Sequence, residues 1–353
     1  MKILLVNPFG IGDVLFTTPV IRSLAEKGHS VYFWSNERTA DILKYNPVVK
    51  DILSFSRGDL KKVFNVSAAK GVKKIFNMIK WLRKERFDAS LDFSMDYRYS
   101  FLLWLSGVKK RAGFDYNGRG CFLTDAIKIC GFSDKHMIRH YNELLKFIDD
   151  SLEPGSKMEL FVGSEEDKWA EQFLKENGVA ASDVLAAIAP GGGASWGKDA
   201  FRKHWPKEKF AYVADKLKSE YGYKIMIFGS EKESGLCESV ADKMENTPIN
   251  TCGKLTLGRF AALLKRCRLL IANDGGPLHM AAALGVKTVS IFGPVDEKVY
   301  GPHPLSRDHI VITGAVDCRP CYRSFKYPLC KNIVCLDSID PSQVLDAVRK
   351  VLT

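Results

Sequence analysis

Asp274-Gly275-Gly276-Pro277-Leu278-His279 stands between an apolar run, Leu269-Leu270-Ile271-Ala272, and a helix-forming stretch, Met280-Ala281-Ala282-Ala283-Leu284. A strand that stops at an acid and two glycines and then becomes a helix aims free N–H groups and a positive dipole end at one point. Phosphate is the usual occupant of such a cradle. The alternative is a plain strand-to-helix turn whose glycines relieve backbone strain. A second cradle, Asn7-Pro8-Phe9-Gly10-Ile11-Gly12-Asp13, follows Lys2-Ile3-Leu4-Leu5-Val6 and precedes a helical pattern running to Leu24. Gly10 and Gly12 resemble a dinucleotide fingerprint, but Thr18 and Pro19 occupy the region of its third glycine, which argues against hydride transfer. Asp13 reads either as a helix N-cap or as a general base kept ionised by the helix dipole.

A third loop, Pro190-Gly191-Gly192-Gly193-Ala194-Ser195, is followed by Lys198, Arg202, Lys203, His204 and Trp205. Glycines followed by cations suit a diphosphate, and Pro206 fits the first turn of the next helix, so Lys203 sits where the loop is anchored. Lys198 is less anchored, and either lysine could be a solvated charge. Gly229-Ser230-Glu231 ends another strand, where Glu231 could meet ribose hydroxyls or begin a helix.

These loops need strands to carry them. Short apolar runs at Val31–Trp34, Ala89–Phe93, Ala186–Ala189, Lys224–Phe228 and Thr288–Phe292 alternate with helical patterns, twice over. That is the alternation of a doubly wound parallel α/β sheet, and ligands of such sheets sit beyond the carboxyl ends of the strands, so two cradles could share one cleft. The polar stretch 149–156 with its Pro-Gly places a domain junction between residues 1–155 and 156–353. At 353 residues and 46% hydrophobic, the chain can bury two cores. No apolar stretch reaches the roughly 18 residues needed to span a bilayer, and no secretory signal is expected, so the protein is expected in the cytoplasm.

The order of motifs, GIGD with TTPVIRSL behind it, then PGGGAS and KHWP, then FGSE, then NDGGPLHMAAALGVKTVSIFGP, resembles the glycosyltransferase family 9 enzymes that include ADP-heptose:lipopolysaccharide heptosyltransferases. The resemblance spans nearly the whole chain. It implies a GT-B fold of two Rossmann-like domains, an N-terminal one for acceptor (Gly10, Gly12) and a C-terminal one for nucleotide sugar. It further implies inverting, metal-independent transfer of a sugar, heptose from ADP-heptose, to a lipopolysaccharide core or related anionic glycan, with no cofactor required. Asp13 matches the family's base, Lys203 its phosphate-contacting lysine, Glu231 its ribose-binding acid, and Asp274 with His279 its donor-sugar motif. Ser195, Gly275 and Gly276 complete the donor side. Gly275 departs from the Ser or Thr common in the family, which leaves the donor sugar open.

Net charge is +11, and residues 1–150 hold 25 Lys or Arg against 16 Asp or Glu. Between Arg57 and Arg86, Val72, Ile75, Phe76, Ile79 and Leu82 share one helical face, with Lys73, Lys74, Lys80, Arg83 and Lys84 elsewhere. Such a helix suits an anionic lipid surface or a phosphorylated saccharide, with Lys73 and Lys74 as acceptor contacts, or simply packs its stripe on the domain core. Peripheral membrane contact follows from the first reading. No nucleic-acid motif accompanies the charge. Of nine cysteines, Cys318, Cys321, Cys330 and Cys335 have a spacing that could close a structural Zn²⁺ or iron–sulfur site. Two other classes remain open at this level: a nucleotide-sugar isomerase that needs no acceptor, and a non-catalytic saccharide-binding protein.

Overall fold

Runs such as Lys2–Val6 (β1) and Leu185–Ala189 (β7) are buried along almost their whole length. Strands of that kind belong inside a parallel sheet covered on both faces. The computed structural model describes residues 1–55, 65–304, 306–327 and 329–353, apart from the side chain at 194. It divides into two compact units, Met1–Glu159 and Leu160–Thr353. Residues 156–159 go with the first unit because the Glu159 carboxylate accepts two 3.0 Å bonds from the Arg22 guanidinium, and its N–H donates to Thr18 Oγ1 at 2.9 Å.

The N-terminal unit is a six-stranded parallel sheet in the order β3-β2-β1-β4-β5-β6. Its other strands are β2 (Ser30–Ser35), β3 (Val49–Ser54), β4 (Ala89–Asp92), β5 (Lys110–Tyr116) and β6 (Asp125–Ile129). The C-terminal unit repeats the plan as β12-β11-β10-β7-β8-β9. Here the strands are β8 (Lys224–Ile227), β9 (Ile249–Asn250), β10 (Cys267–Asn273), β11 (Lys287–Phe292) and β12 (His309–Thr313). The doubly wound α/β architecture expected from the alternation is therefore present in both units. Each sheet reverses its strand order once, between β1 and β4 in the first and between β7 and β10 in the second.

Helix Lys207–Tyr221 lays Phe210, Val213 and Leu217 on Ile188, Ile225 and Ile227, with Trp205 closing the layer. Each such side chain contributes about 1.5–3 kcal/mol on burial. The helix Pro341–Leu352 adds Val344, Val348 and Val351 to the same core. In the N-terminal unit, helices Ala68–Glu85 and Tyr97–Leu105 place Met78, Leu82 and Leu103 against Leu4, Val6 and Trp34. This corrects the expected apolar face of the first helix. Its inward line is Gly71, Ile75, Met78 and Leu82, while Val72 and Phe76, one step round the helix, are exposed. The apolar stripe is wider than the sheet can cover. Residues 57–64 of the basic segment lie outside the described residues. Among the described residues no helix is long and apolar enough to cross a membrane.

Candidate functional site

In the C-terminal unit the loops that leave β7 and β10, neighbours at the strand-order reversal, are bound to each other. Asn273, the last residue of β10, is 1% exposed. Its side-chain N–H donates to the carbonyls of Pro190 (2.6 Å) and Gly191 (3.1 Å), and its Oδ1 accepts from the Trp205 N–H at 3.1 Å. One buried amide thus joins the end of β10, the glycine loop and the segment carrying Lys203. The glycines are steric requirements. A Cβ at Gly191 would lie 2.0 Å from Glu233 Oε1, and Gly192 and Gly193 have φ of +135° and +69°. A Cβ on Gly275 would come 3.1 Å from Gly192 Cα, a tight contact that would need the glycine loop to give by a few tenths of an ångström.

Lys203 Nζ lies 2.5 Å from Asp274 Oδ2, both side chains nearly buried, and 4.5 Å from the Trp196 ring centroid. Trp196 packs in turn on Tyr322 and Tyr327. An ammonium so held is a fixed positive charge with two further N–H donors to offer an anion. Helix Gly276–Leu284 begins just beyond Asp274 and presents its first-turn N–H groups there. His279, in that helix, is buried, and burial pushes its imidazole down to about 4, so it is neutral at physiological pH. Glu233 accepts from the Gly192 N–H (2.8 Å) and from the Ser230 N–H and hydroxyl (both 2.7 Å), tying the β8 loop to the glycine loop.

The structure thus brings together Lys203, Asp274, Gly275, Gly276 and His279. It also separates the two lysines that the sequence left open, since Lys198 is exposed. Ser195 and Glu231 are exposed at the carboxyl ends of β7 and β8. Asn273, Glu233 and Trp196 were not anticipated. The Ser230-x-x-Glu233 spacing of a capping box was the available signal for Glu233.

In the N-terminal unit Asp13 is the third residue of the helix Ile11–Phe16, not its N-cap. That place belongs to Gly10, whose N–H donates to Asp13 Oδ2 at 3.2 Å. Asn7 holds the turn by donating to the Asp13 carbonyl, and Asn36 holds Pro8 and Phe9 from the end of β2. Gly10, Gly12 and Asp13 are all half-buried. Beside them in the sheet, Asp92 ends β4 in register with Val6 of β1. It is almost wholly buried, accepts the Ser94 N–H at 2.8 Å, and burial pushes its carboxyl up to about 6. Lys74 pairs with Glu37 at 2.8 Å, and Lys73 is exposed. Among the described residues no three His, Cys, Asp or Glu side chains are grouped to hold an ion, and all nine cysteines are free thiols.

The sequence profile of Glycosyltransferase family 9 (heptosyltransferase) matches residues 75–328. The chain belongs to glycosyltransferase family 9. As a family 9 glycosyltransferase it is similar along its whole length to lipooligosaccharide heptosyltransferase 2 of Campylobacter jejuni, 26% identical over 100% of this chain and 98% of the relative. Its fold matches the crystal structure of a family 9 glycosyl transferase from Veillonella parvula, with a TM-score of 0.82, 24% identity, and coverage of 99% and 97% of the two chains. It also matches E. coli ADP-heptose lps heptosyltransferase II, with a TM-score of 0.75, 20% identity, and coverage of 100% and 98%. Membership of a glycosyltransferase family does not favour the isomerase and saccharide-binding readings.

The ionisation of Asp92 gives this family 9 enzyme a measurable pH dependence. Between its unfolded value near 3.8 and the folded value of about 6, the native state holds a proton that the unfolded chain has released. Its contribution to stability therefore falls as pH rises through that window and is level above it. Asp92→Asn keeps an acceptor for Ser94 and removes the charge. It is expected to match the parent near pH 4 and exceed it by about 1–3 kcal/mol above pH 6, measured by denaturation across that range. Lys203→Met, which leaves Asp274 buried without its cation, is expected to lose about 3–5 kcal/mol at pH 7. Adding Asp274→Asn should restore most of that loss in the same urea titration.

Proposed function

We propose that this chain transfers heptose from ADP-heptose to an anionic, lipid-linked saccharide of a lipopolysaccharide core, by inverting displacement and without a catalytic metal. The observation that carries the reading is the convergence of Lys203, Asp274 and the glycine loops at the strand-order reversal of the C-terminal unit. Its similarity to a lipooligosaccharide heptosyltransferase and to an ADP-heptose lipopolysaccharide heptosyltransferase supports the choice of sugar, nucleotide and acceptor.

In this reading the acceptor hydroxyl attacks the anomeric carbon as the bond from that carbon to the diphosphate oxygen breaks. Asp13 takes the hydroxyl proton. The Lys203 ammonium and the N–H groups of Gly275 and Gly276 receive the charge developing on the nucleoside diphosphate, with Ser195 alongside. A lysine about 4 Å from a phosphate oxygen contributes roughly 4 kcal/mol at an effective dielectric of 20, which is why no metal is assigned to the step. Neutral His279 and Asp274 face the sugar, and Glu231 the ribose. Gly10 and Gly12 shape the acceptor side, with Lys73 and Lys74 drawing in its anionic groups. We place the reaction in the cytoplasm at the inner face of its membrane, where nine free thiols are stable and a lipid-linked acceptor is at hand. Cys318, Cys321, Cys330 and Cys335 have no assigned part in the transfer.

Calorimetric titration with ADP, UDP and GDP in one buffer tests the donor. ADP is expected to bind selectively; preference for UDP or GDP would move the donor to another sugar, and binding of none would overturn the transferase reading. Asp13→Asn is expected to lower kcat by about 10²–10⁴-fold with ADP affinity unchanged. Full turnover in that variant, with saturating acceptor, would remove Asp13 from the base role.

A further inference from the structure

The helices Ala68–Glu85 and Tyr97–Leu105 of the N-terminal unit are apolar and basic on their outward sides at once. Phe101, Trp104 and Leu105 are exposed, Trp104 by 51%, and Phe101, Trp104 and Phe122 form a three-ring cluster with centroids 5.0–5.8 Å apart. On the longer helix Val72 and Phe76 are 60% and 64% exposed. Six cations and no acid lie between Lys70 and Lys84. Lys74 is engaged with Glu37, whereas Lys73, Lys80 and Lys84 form no ion pair among the described residues. An exposed apolar patch of this kind marks an interaction surface.

The two helices meet at their C-terminal ends, where an Arg83 N–H donates to the Leu105 carbonyl at 3.1 Å. Beside that bond lies a cavity of about 300 Å³ lined by Arg83, Arg86, Lys109, Asp88 and Ser106. Asp88 is occupied, accepting from the Lys2 N–H at 2.7 Å. The Ser106 hydroxyl is buried, lines the cavity and has no hydrogen-bond partner among the described residues. Three cations and that hydroxyl line this cavity, and Leu105 and Trp104 stand next to it in the chain.

We propose that this face docks on an anionic phospholipid bilayer, with aromatic side chains at the level of the headgroups and a headgroup phosphate in the cavity between Arg83, Arg86, Lys109 and Ser106. Aromatic rings beside lysines are the composition of an interfacial surface. A second copy of the chain is a poorer occupant, because two faces of the same positive sign would repel. The inference deepens the lipid-linked acceptor of the proposed function, yet it rests on this surface alone. Binding to vesicles without donor or acceptor therefore separates its failure from failure of the transfer reading.

The test is sedimentation of the full chain with vesicles of phosphatidylcholine, with and without phosphatidylglycerol, alongside gel filtration and thermal unfolding of each variant. The parent is expected to sediment with the anionic vesicles and to be released by salt. Changing Lys73, Lys80 and Lys84 together to Glu is expected to weaken partitioning by at least about tenfold, since each cation near such a surface adds to the attraction. Phe101→Ser with Trp104→Ser is expected to abolish it, and Arg86→Ser to weaken it, all with unchanged thermal unfolding. Equal binding to neutral vesicles, parent-like binding by the folded variants, or a dimer that Trp104→Ser dissociates would each overturn the proposal.

Discussion

The structure depends on one topological constraint, the single reversal of strand order in each parallel sheet. Parallel crossovers carry the chain outward from the first strand of a unit, and the fourth strand then returns to that strand's other side. Loops leaving the two central strands diverge, and no crossover covers the carboxyl ends between them. In the C-terminal unit this space receives the Pro190–Gly193 loop and the Asp274–Gly276 turn, held together by the buried Asn273 amide. In the N-terminal unit it receives Asn7 and Asp92. The glycines follow from the crowding, because a Cβ at Gly191 or Gly275 would meet the neighbouring loop.

Crowding also fixes the electrostatics. Lys203 and Asp274 are nearly out of water and paired with each other, and Trp196 offers the ammonium a ring face on a further side. His279 stays neutral for want of solvent, and Asp92 keeps its proton to unusually high pH for the same reason. Lys203, Asp274 and Asp92 are each held in place by protein partners. The support comes from distant sequence: Trp196 rests on Tyr322 and Tyr327, and Trp205 donates its indole N–H to the Ile339 carbonyl.

The outer helices of the N-terminal unit obey a different rule. Their inward lines fill the sheet's surface, and what remains of the apolar stripe faces water among lysines. Exposed aromatics that the core does not use, beside a cavity lined by arginines, give that side a character of its own.

The apolar runs, their alternation with helical patterns and the glycine turns at their ends determined by themselves the doubly wound architecture and the places where loops could hold an anion, because burial on both faces leaves an unmistakable composition. The strands β3, β5, β6, β9 and β12 were not read, since charged residues and small length dilute the pattern at or near sheet edges. Asp13, Lys203, Asp274 and His279 stand out as candidates in the sequence because each adjoins a glycine turn or a helix start. Their partnership does not. That Lys203 rather than Lys198 meets Asp274, that Glu233 joins the glycine loop, that Asp92 is buried beside β1, and that Phe76 faces outward were decided by the tertiary structure alone. Contacts between residues 40 to 90 positions apart depend on which strands become neighbours, and the strand order is a property of the whole sheet rather than of any segment in it.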